Sequence, residues 1–146
     1  KKAKSEGRSY GGVAHLWIQN PPKGLGQPVF RKLKADLATA LMSVGATNGL
    51  ELGLGFEASD IEGSEFHSDS GQIPSSNRYG GIRGGISTGE DIVLSVSFKP
   101  TASVLDVAKK GRHDPCIIPR ALPVLEAMTW LTLMEHWLWK RLDRLK

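Results

Sequence analysis

The sequence predicts an α+β fold in which an antiparallel β-sheet carries two long helices packed on one face. Two stretches with helical spacing, several short alternating stretches and short connections between them predict this class. Along the chain the order is strand, helix, three strands, helix. A chain of 146 residues is long enough for a hydrophobic core of its own, so we expect residues 1–146 to form a single domain.

The first strand and the first helix are separated by a strong turn signal. Residues 12–19 alternate imperfectly and predict a strand that ends at the Pro- and Gly-containing run 20–24. Residues 28–44 predict a helix, with Pro28 in its first turn and Gly45 at its C-terminal end. Its apolar stripe consists of Phe30, Leu33, Leu37, Leu41 and Val44.

Three further strands are predicted in the middle of the chain. Residues 50–56 alternate with period two and place glycines on one face, which indicates a bulge or a close approach. Residues 80–89 predict a short strand that leads into a turn at its glycine-containing end. Residues 92–98 alternate most clearly, with one apolar face and one more polar face.

The last predicted helix, residues 119–142, is apolar around most of its circumference and contains three tryptophans. Such a helix either lies at the centre of a protein or buries a face on a partner, and the sequence leaves both open. His136 lies in this helix and His15 in the first strand, where a structural role is the more typical one. No apolar run reaches about 18 residues, so we expect no membrane span.

Charge is distributed unevenly along the chain. Eight of the 19 Lys and Arg residues lie at the two ends, and the part from Ser9 to Trp139 has 11 basic and 13 acidic residues. This balance argues against a nucleic-acid-binding surface, and we expect residues 1–8 to be a solvated basic tail. The acidic, Ser-rich residues 58–79 predict a long mobile loop. Cys116 is the only cysteine, which excludes an intramolecular disulfide and a cysteine-based zinc cluster.

Three glycine-rich or basic segments together predict an anion site. They are residues 76–87, 99–103 and 111–115. Glycines expose backbone N–H groups, Lys and Arg neutralise phosphate, and Ser and Thr hydroxyls donate hydrogen bonds. Each segment alone is more typical of a turn, a strand end or a surface loop, so the prediction depends on their combination. The expected ligand is a phosphorylated small molecule.

The same segments, in this order, resemble the chorismate synthase family. The resemblance is collinear and covers nearly the whole chain. It is carried by residues 11–13, 22–30, 32–38, 41–46, 76–89, 98–103, 110–116, 119–121 and 126–128.

The resemblance implies a lyase of aromatic amino acid biosynthesis. It implies conversion of 5-enolpyruvylshikimate 3-phosphate into chorismate, in the shikimate pathway, by 1,4-elimination of phosphate and a proton. The implied cofactor is reduced FMN, although the reaction has no net redox change, and the family is associated with NADP, a homotetramer and a cytoplasmic location. The implied fold is a β-α-β sandwich of two related halves, and the sheet with two helices is one of them.

Site residues also follow from the resemblance. Asp114 is the implied catalytic residue, near the flavin ring, where it assists proton movement. No metal is implied. The implied cofactor-binding residues are Gly45, Ala46, Gly84, Lys99, Pro100, Thr101, Ala102, Ser103 and Arg112.

Members of the family are more than twice as long as this chain. Their N-terminal half carries both catalytic histidines and most of the arginines that bind substrate. We therefore expect this chain to correspond to the C-terminal half and to be inactive alone. The alternative is a non-catalytic flavin- or phosphate-binding module, or an assembly module that self-associates through the Trp-rich helix.

Overall fold

A computed structural model describes residues 2–67, 77–102, 104–105 and 114–142. Within this part of the chain, no helix is long and apolar enough to cross a membrane. The elements in chain order are α1 (Lys2–Ser5), β1 (Gly12–Ile18), α2 (Leu33–Met42), β2 (Thr47–Leu52), a 3₁₀ helix (Gly55–Asp60), α3 (Gly63–Phe66), β3 (Ile82–Arg83), β4 (Ile86–Ser87), β5 (Ile92–Phe98) and α4 (Ile118–Leu142).

The central strand of the main sheet is β5, which lies between β1 and β2 and is antiparallel to both. It pairs with β1 along its whole length, and its pairing with β2 contains a bulge between Thr47 and Gly49. The predicted alternation of β5 is confirmed, since every second side chain is buried. These buried residues are Ile92, Leu94, Val96 and Phe98.

Both long helices pack on the same face of this sheet and enclose one hydrophobic core. Burying a Leu side chain stabilises the fold by about 1.5–3 kcal/mol, so the contacts of these two helices hold the layers together. The predicted α+β class, with two helices on one face, is confirmed. The fully buried leucines of the helices are Leu33, Leu37 and Leu41 of α2 and Leu125 of α4.

The first long helix is shorter than predicted at its N-terminus. The backbone N–H of Gln27 donates to the carbonyl oxygen of Arg31 at 2.7 Å, which closes residues 27–31 into a tight loop. Lys32 is extended, so α2 begins only at Leu33. Phe30 was expected in the apolar stripe, but it lies in the loop and is 90% exposed. The predicted start at residue 28 is therefore wrong.

The C-terminal end of the same helix also differs from the prediction. The helix ends at Met42, and Ser43 is a right-handed helical cap. The left-handed backbone follows at Ala46, with φ of 71°, and not at Gly45. An L residue adopts this conformation only at a cost, so the surrounding structure must hold Ala46 there.

Glycines end one of the predicted strands early and divide another into two. The strand predicted for residues 50–56 is β2 and ends at Leu52, because Gly53 and Gly55 have φ of 59° and 56° and turn the chain into the 3₁₀ helix. The single strand predicted within residues 80–89 is instead a hairpin, in which Gly84 and Gly85 connect β3 to β4 with φ of 61° and 92°. Left-handed backbone is accessible to Gly without steric cost.

The segments predicted as a loop and as a basic tail each contain a short helix. In the range 58–79, residues 58–67 contain the end of the 3₁₀ helix and α3, while residues 68–76 lie outside the described residues. The mobility of this range stays a prediction. In the range 1–8, α1 forms a helical turn, and the carbonyl oxygen of Gly7 accepts a 2.8 Å hydrogen bond from the N–H of Leu105.

Candidate functional site

The predicted phosphate-binding segment begins where β5 ends. The backbone N–H of Lys99 donates a 3.0 Å hydrogen bond to the carbonyl oxygen of Ala46, which follows α2. Gly45 precedes Ala46, is exposed and has open space where a side chain would stand. The end of β5 and the end of α2 therefore bring Gly45, Ala46 and Lys99 together.

Asp114 lies at the same end of the sheet. The hydroxyl of Thr101 donates a 3.3 Å hydrogen bond to the carbonyl oxygen of Asp114. The carboxylate of Asp114 forms an ion pair with Arg120, with 2.9 Å between Oδ2 of Asp114 and Nη1 of Arg120. Arg120 stands in the first turns of α4, so this helix holds the carboxylate from one side.

The donors at this end suit an anionic group. Lys99 is exposed and forms no ion pair with another described residue, so its ammonium is available to a phosphate. The Thr101 hydroxyl proton is directed to a protein carbonyl, so within the described residues 99–102 Lys99 has the side chain that can donate to a ligand. The bare backbone at Gly45 allows close approach.

Gly84 lies away from this cluster. Its neighbour Gly85 accepts a 2.8 Å hydrogen bond from the N–H of Leu33, at the start of α2, whereas Ala46 and Lys99 lie beyond the end of α2. A helix of ten residues is about 15 Å long. One ligand that contacts both places must therefore be elongated, with Gly84 at one end and Lys99 at the other.

Ser103 and Arg112, two of the predicted cofactor-binding residues, lie outside the described residues. Pro100 and Ala102 are exposed beside Lys99 and Thr101, as expected for a segment that faces a ligand. No group of three or more His, Cys, Asp or Glu side chains within the described part could hold a metal ion.

Sequence reasoning missed Ser9 and Tyr10, which contact the same two segments. The hydroxyl of Ser9 donates to the carbonyl oxygen of Thr101 at 2.8 Å, and the N–H of Tyr10 donates to the carbonyl oxygen of Pro115 at 2.7 Å. These contacts join residues about a hundred positions apart, and no periodicity or local motif signals them.

Comparisons with known proteins agree on one family. The family model described as chorismate synthase matches residues 1–138. A chorismate synthase of Bdellovibrio bacteriovorus is 68% identical over 145 residues, which are 99% of this chain and 41% of that protein. A chorismate synthase of Prochlorococcus marinus is 50% identical over 155 residues, which are 93% of this chain and 43% of that protein.

A solved structure agrees in fold. A crystal structure of chorismate synthase superposes with a TM-score of 0.79 at 35% identity, covering 95% of this chain and 40% of that one. The chain thus spans about two fifths of the length of the relatives it matches. Sequence and fold together establish that this chain belongs to the chorismate synthase family.

Proposed function

We propose that the chain forms the phosphate-binding side of the flavin site of a chorismate synthase. The reaction converts 5-enolpyruvylshikimate 3-phosphate into chorismate: phosphate leaves one ring carbon, a proton leaves another, and a new double bond forms. The observation that carries the proposal is the convergence of Ala46, Lys99, Thr101 and Asp114 at one end of the sheet of a family member.

Reduced FMN is the cofactor in this proposal. When bound, it supplies an electron transiently to the breaking C–O bond and recovers it afterwards. The residues present fit its phosphate end, because Lys99, whose ammonium forms no ion pair with another described residue, and the open backbone of Gly45 lie together at the ends of β5 and α2. Gly84, about a helix length away, offers open backbone for the other end of an elongated ligand.

The chain's own residues then have separate tasks. Lys99 neutralises negative charge, which contributes most where water is displaced. Asp114 accepts or relays a proton, and Arg120 holds its carboxylate in place at 2.9 Å. Arg112, beside both cofactor and substrate, and Ser103, at the phosphate end, complete the proposed set.

The wider assembly is also part of the proposal. The whole protein is a cytoplasmic homotetramer in which another part of the chain supplies the catalytic histidines and the substrate-binding arginines. Since this chain covers about two fifths of its relatives, we expect it to lack turnover and to bind FMN weakly when purified alone.

An anaerobic assay with reduced FMN and the enolpyruvyl substrate tests this proposal. We expect no phosphate release from the chain alone. We expect release when the chain is joined to the N-terminal three fifths of the Bdellovibrio relative. In that joined protein Lys99→Ala should raise the apparent Kd for FMN at least about tenfold, as loss of a charge-assisted hydrogen bond implies. Lys34→Ala, an exposed lysine of α2, is the matched control and should change it less than twofold.

A second candidate function is assembly without catalysis. It is favoured by the apolar surface of α4, where Trp130 and Leu131 are 65% and 67% exposed. Exposed apolar patches of this kind mark protein–protein contacts. A joined protein that binds neither FMN nor substrate, yet still forms an oligomer, would support this candidate against the first.

A further inference from the structure

Residues 9–11, which we call the strap, cross both segments of the candidate site before β1 begins. Ser9 and Tyr10 are consecutive, yet one bonds to Thr101 and the other to Pro115, next to Asp114. The strap therefore fixes the spacing between the phosphate-binding segment and the segment that carries the catalytic carboxylate.

The strap lies tightly against the end of β5. A Cβ atom built on Gly11 would stand 2.2 Å from the carbonyl oxygen of Phe98 and 3.2 Å from Pro100. No side chain fits in this space, so glycine is required for the backbone to approach this closely. The close approach brings the Ser9 hydroxyl within reach of the residues that follow β5.

The Ser9 hydrogen bond sets the orientation of one peptide group. In a trans peptide the C=O and the following N–H point in opposite directions. Because the carbonyl of Thr101 points to the Ser9 hydroxyl, the N–H of Ala102 points away from the strap. Ala102 is exposed, and its N–H donates to no other described residue.

We propose that Ser9 is a positioning residue that orients the Thr101–Ala102 peptide so that the Ala102 N–H donates to the phosphate of the ligand. This inference rests on the proposed function, since it names how the segment at Lys99 binds an anion. Ser9 acts through the peptide and touches no ligand itself. Lys99 supplies the charge, and the oriented N–H supplies a directional hydrogen bond.

Two NMR measurements on the 146-residue chain test the proposal, with Ser9→Ala, Ser9→Thr and Ser43→Ala as variants. The Ser43 hydroxyl donates to the carbonyl oxygen of Ala40 at the end of its own helix, so its variant is the matched control. Without ligand, Ser9→Ala should shift the Thr101 carbonyl ¹³C and the Ala102 amide ¹⁵N resonances. Ser9→Thr, which keeps the hydroxyl, and Ser43→Ala should leave both close to wild type. Unchanged resonances in Ser9→Ala would overturn the proposal.

The second measurement titrates inorganic phosphate and then FMN while the Ala102 amide is followed. We expect this amide to shift in the wild type, and Ser9→Ala to weaken phosphate binding about 3- to 10-fold, the effect of losing one hydrogen bond. Ser9→Thr and Ser43→Ala should stay within about twofold.

The outcomes separate this inference from the proposed function. If phosphate shifts Lys99 but not Ala102, the proposed function survives and the role of Ser9 is wrong. If neither residue responds to phosphate or FMN, in this chain or in the joined protein, the phosphate-binding role of the segment is wrong, and the inference fails with it. Thermal unfolding of each variant checks that the fold is retained.

Discussion

Nε2 of His136 lies 2.9 Å from Oδ2 of Asp36, which joins the buried face of α4 to the first turn of α2. His136 is 1% exposed. The two atoms are at ion-pair distance but are not aligned as a hydrogen bond. Arg31 contacts the same Asp36 oxygen at 3.2 Å and stacks over the ring of Trp139. The structural role predicted for His136 is therefore confirmed, and this cluster holds the two long helices together.

Asp36→Ala should lower the free energy of unfolding by about 1–3 kcal/mol, because it leaves a buried imidazole without its polar partner. The measurement is urea unfolding followed by tryptophan fluorescence. Glu135→Gln is the control, since its ion pair with Arg31 is half-exposed and should contribute less than about 1 kcal/mol. Equal losses in the two variants would contradict a stabilising role for the buried contact.

Most of the fold was predictable because its signals are local and periodic. The alternation from Ile92 to Phe98 and the spacing of Leu33, Leu37 and Leu41 each reflect burial of one face, and both predictions are confirmed. Where a predicted boundary was wrong, the backbone conformation of a few residues interrupted the periodic pattern. The tight loop from Gln27 to Arg31 delays α2.

The candidate site was only partly predictable for a different reason. Lys99 to Ala102 carry a local composition that suits phosphate, and the family resemblance implied Ala46, but Ser9 is identified only by its contact with Thr101, which lies far along the chain. No pattern in the sequence places Gly84 a helix length from Lys99. That separation arises because the loop at Gly84 contacts the N-terminal end of α2, whereas Lys99 contacts the segment that follows its C-terminal end.

Gly84→Ala should lower the free energy of unfolding by about 1–2 kcal/mol. Gly84 has φ of 61°, where a Cβ adds strain, but nothing lies within 4 Å of that Cβ, so no clash is added. Gly63→Ala is the control, because its site is equally open but helical, where Ala should be favoured by up to about 1 kcal/mol. We expect the free energy of unfolding to change with opposite signs in the two variants. Equal signs would contradict the account of the hairpin turn.

Ser64→Ala should raise the pKa of Glu62 toward its usual range. The Ser64 side chain, followed by its backbone N–H, bonds the Glu62 carboxylate and lowers its pKa. A group with a lowered pKa in the folded state stabilises it above the unfolded pKa. This contribution is lost as the pH falls through the folded pKa, so α3 should fray in acid. The check is the ¹³Cδ titration of Glu62, with Ser59→Ala as control, and an unmoved midpoint in Ser64→Ala would contradict this cause.

The final prediction concerns the exposed apolar face of α4. Trp130, Leu131 and Met134 are at least half exposed, although they lie on the helix that also carries core residues. Because exposed apolar patches of this kind favour association, the purified chain should self-associate as its concentration rises. Leu131→Glu should shift sedimentation velocity profiles toward the monomer, since it buries a charge in any such contact.

Lys34→Glu, which also adds negative charge at an exposed helical position, is the control and should leave the profile unchanged. A wild-type chain that sediments as a monomer at every concentration would contradict the prediction. If the joined protein described above still formed its oligomer with Leu131→Glu, the face would be unnecessary for assembly of the longer chain. Loss of its assembly would instead place this helix face in a contact that the longer chain needs.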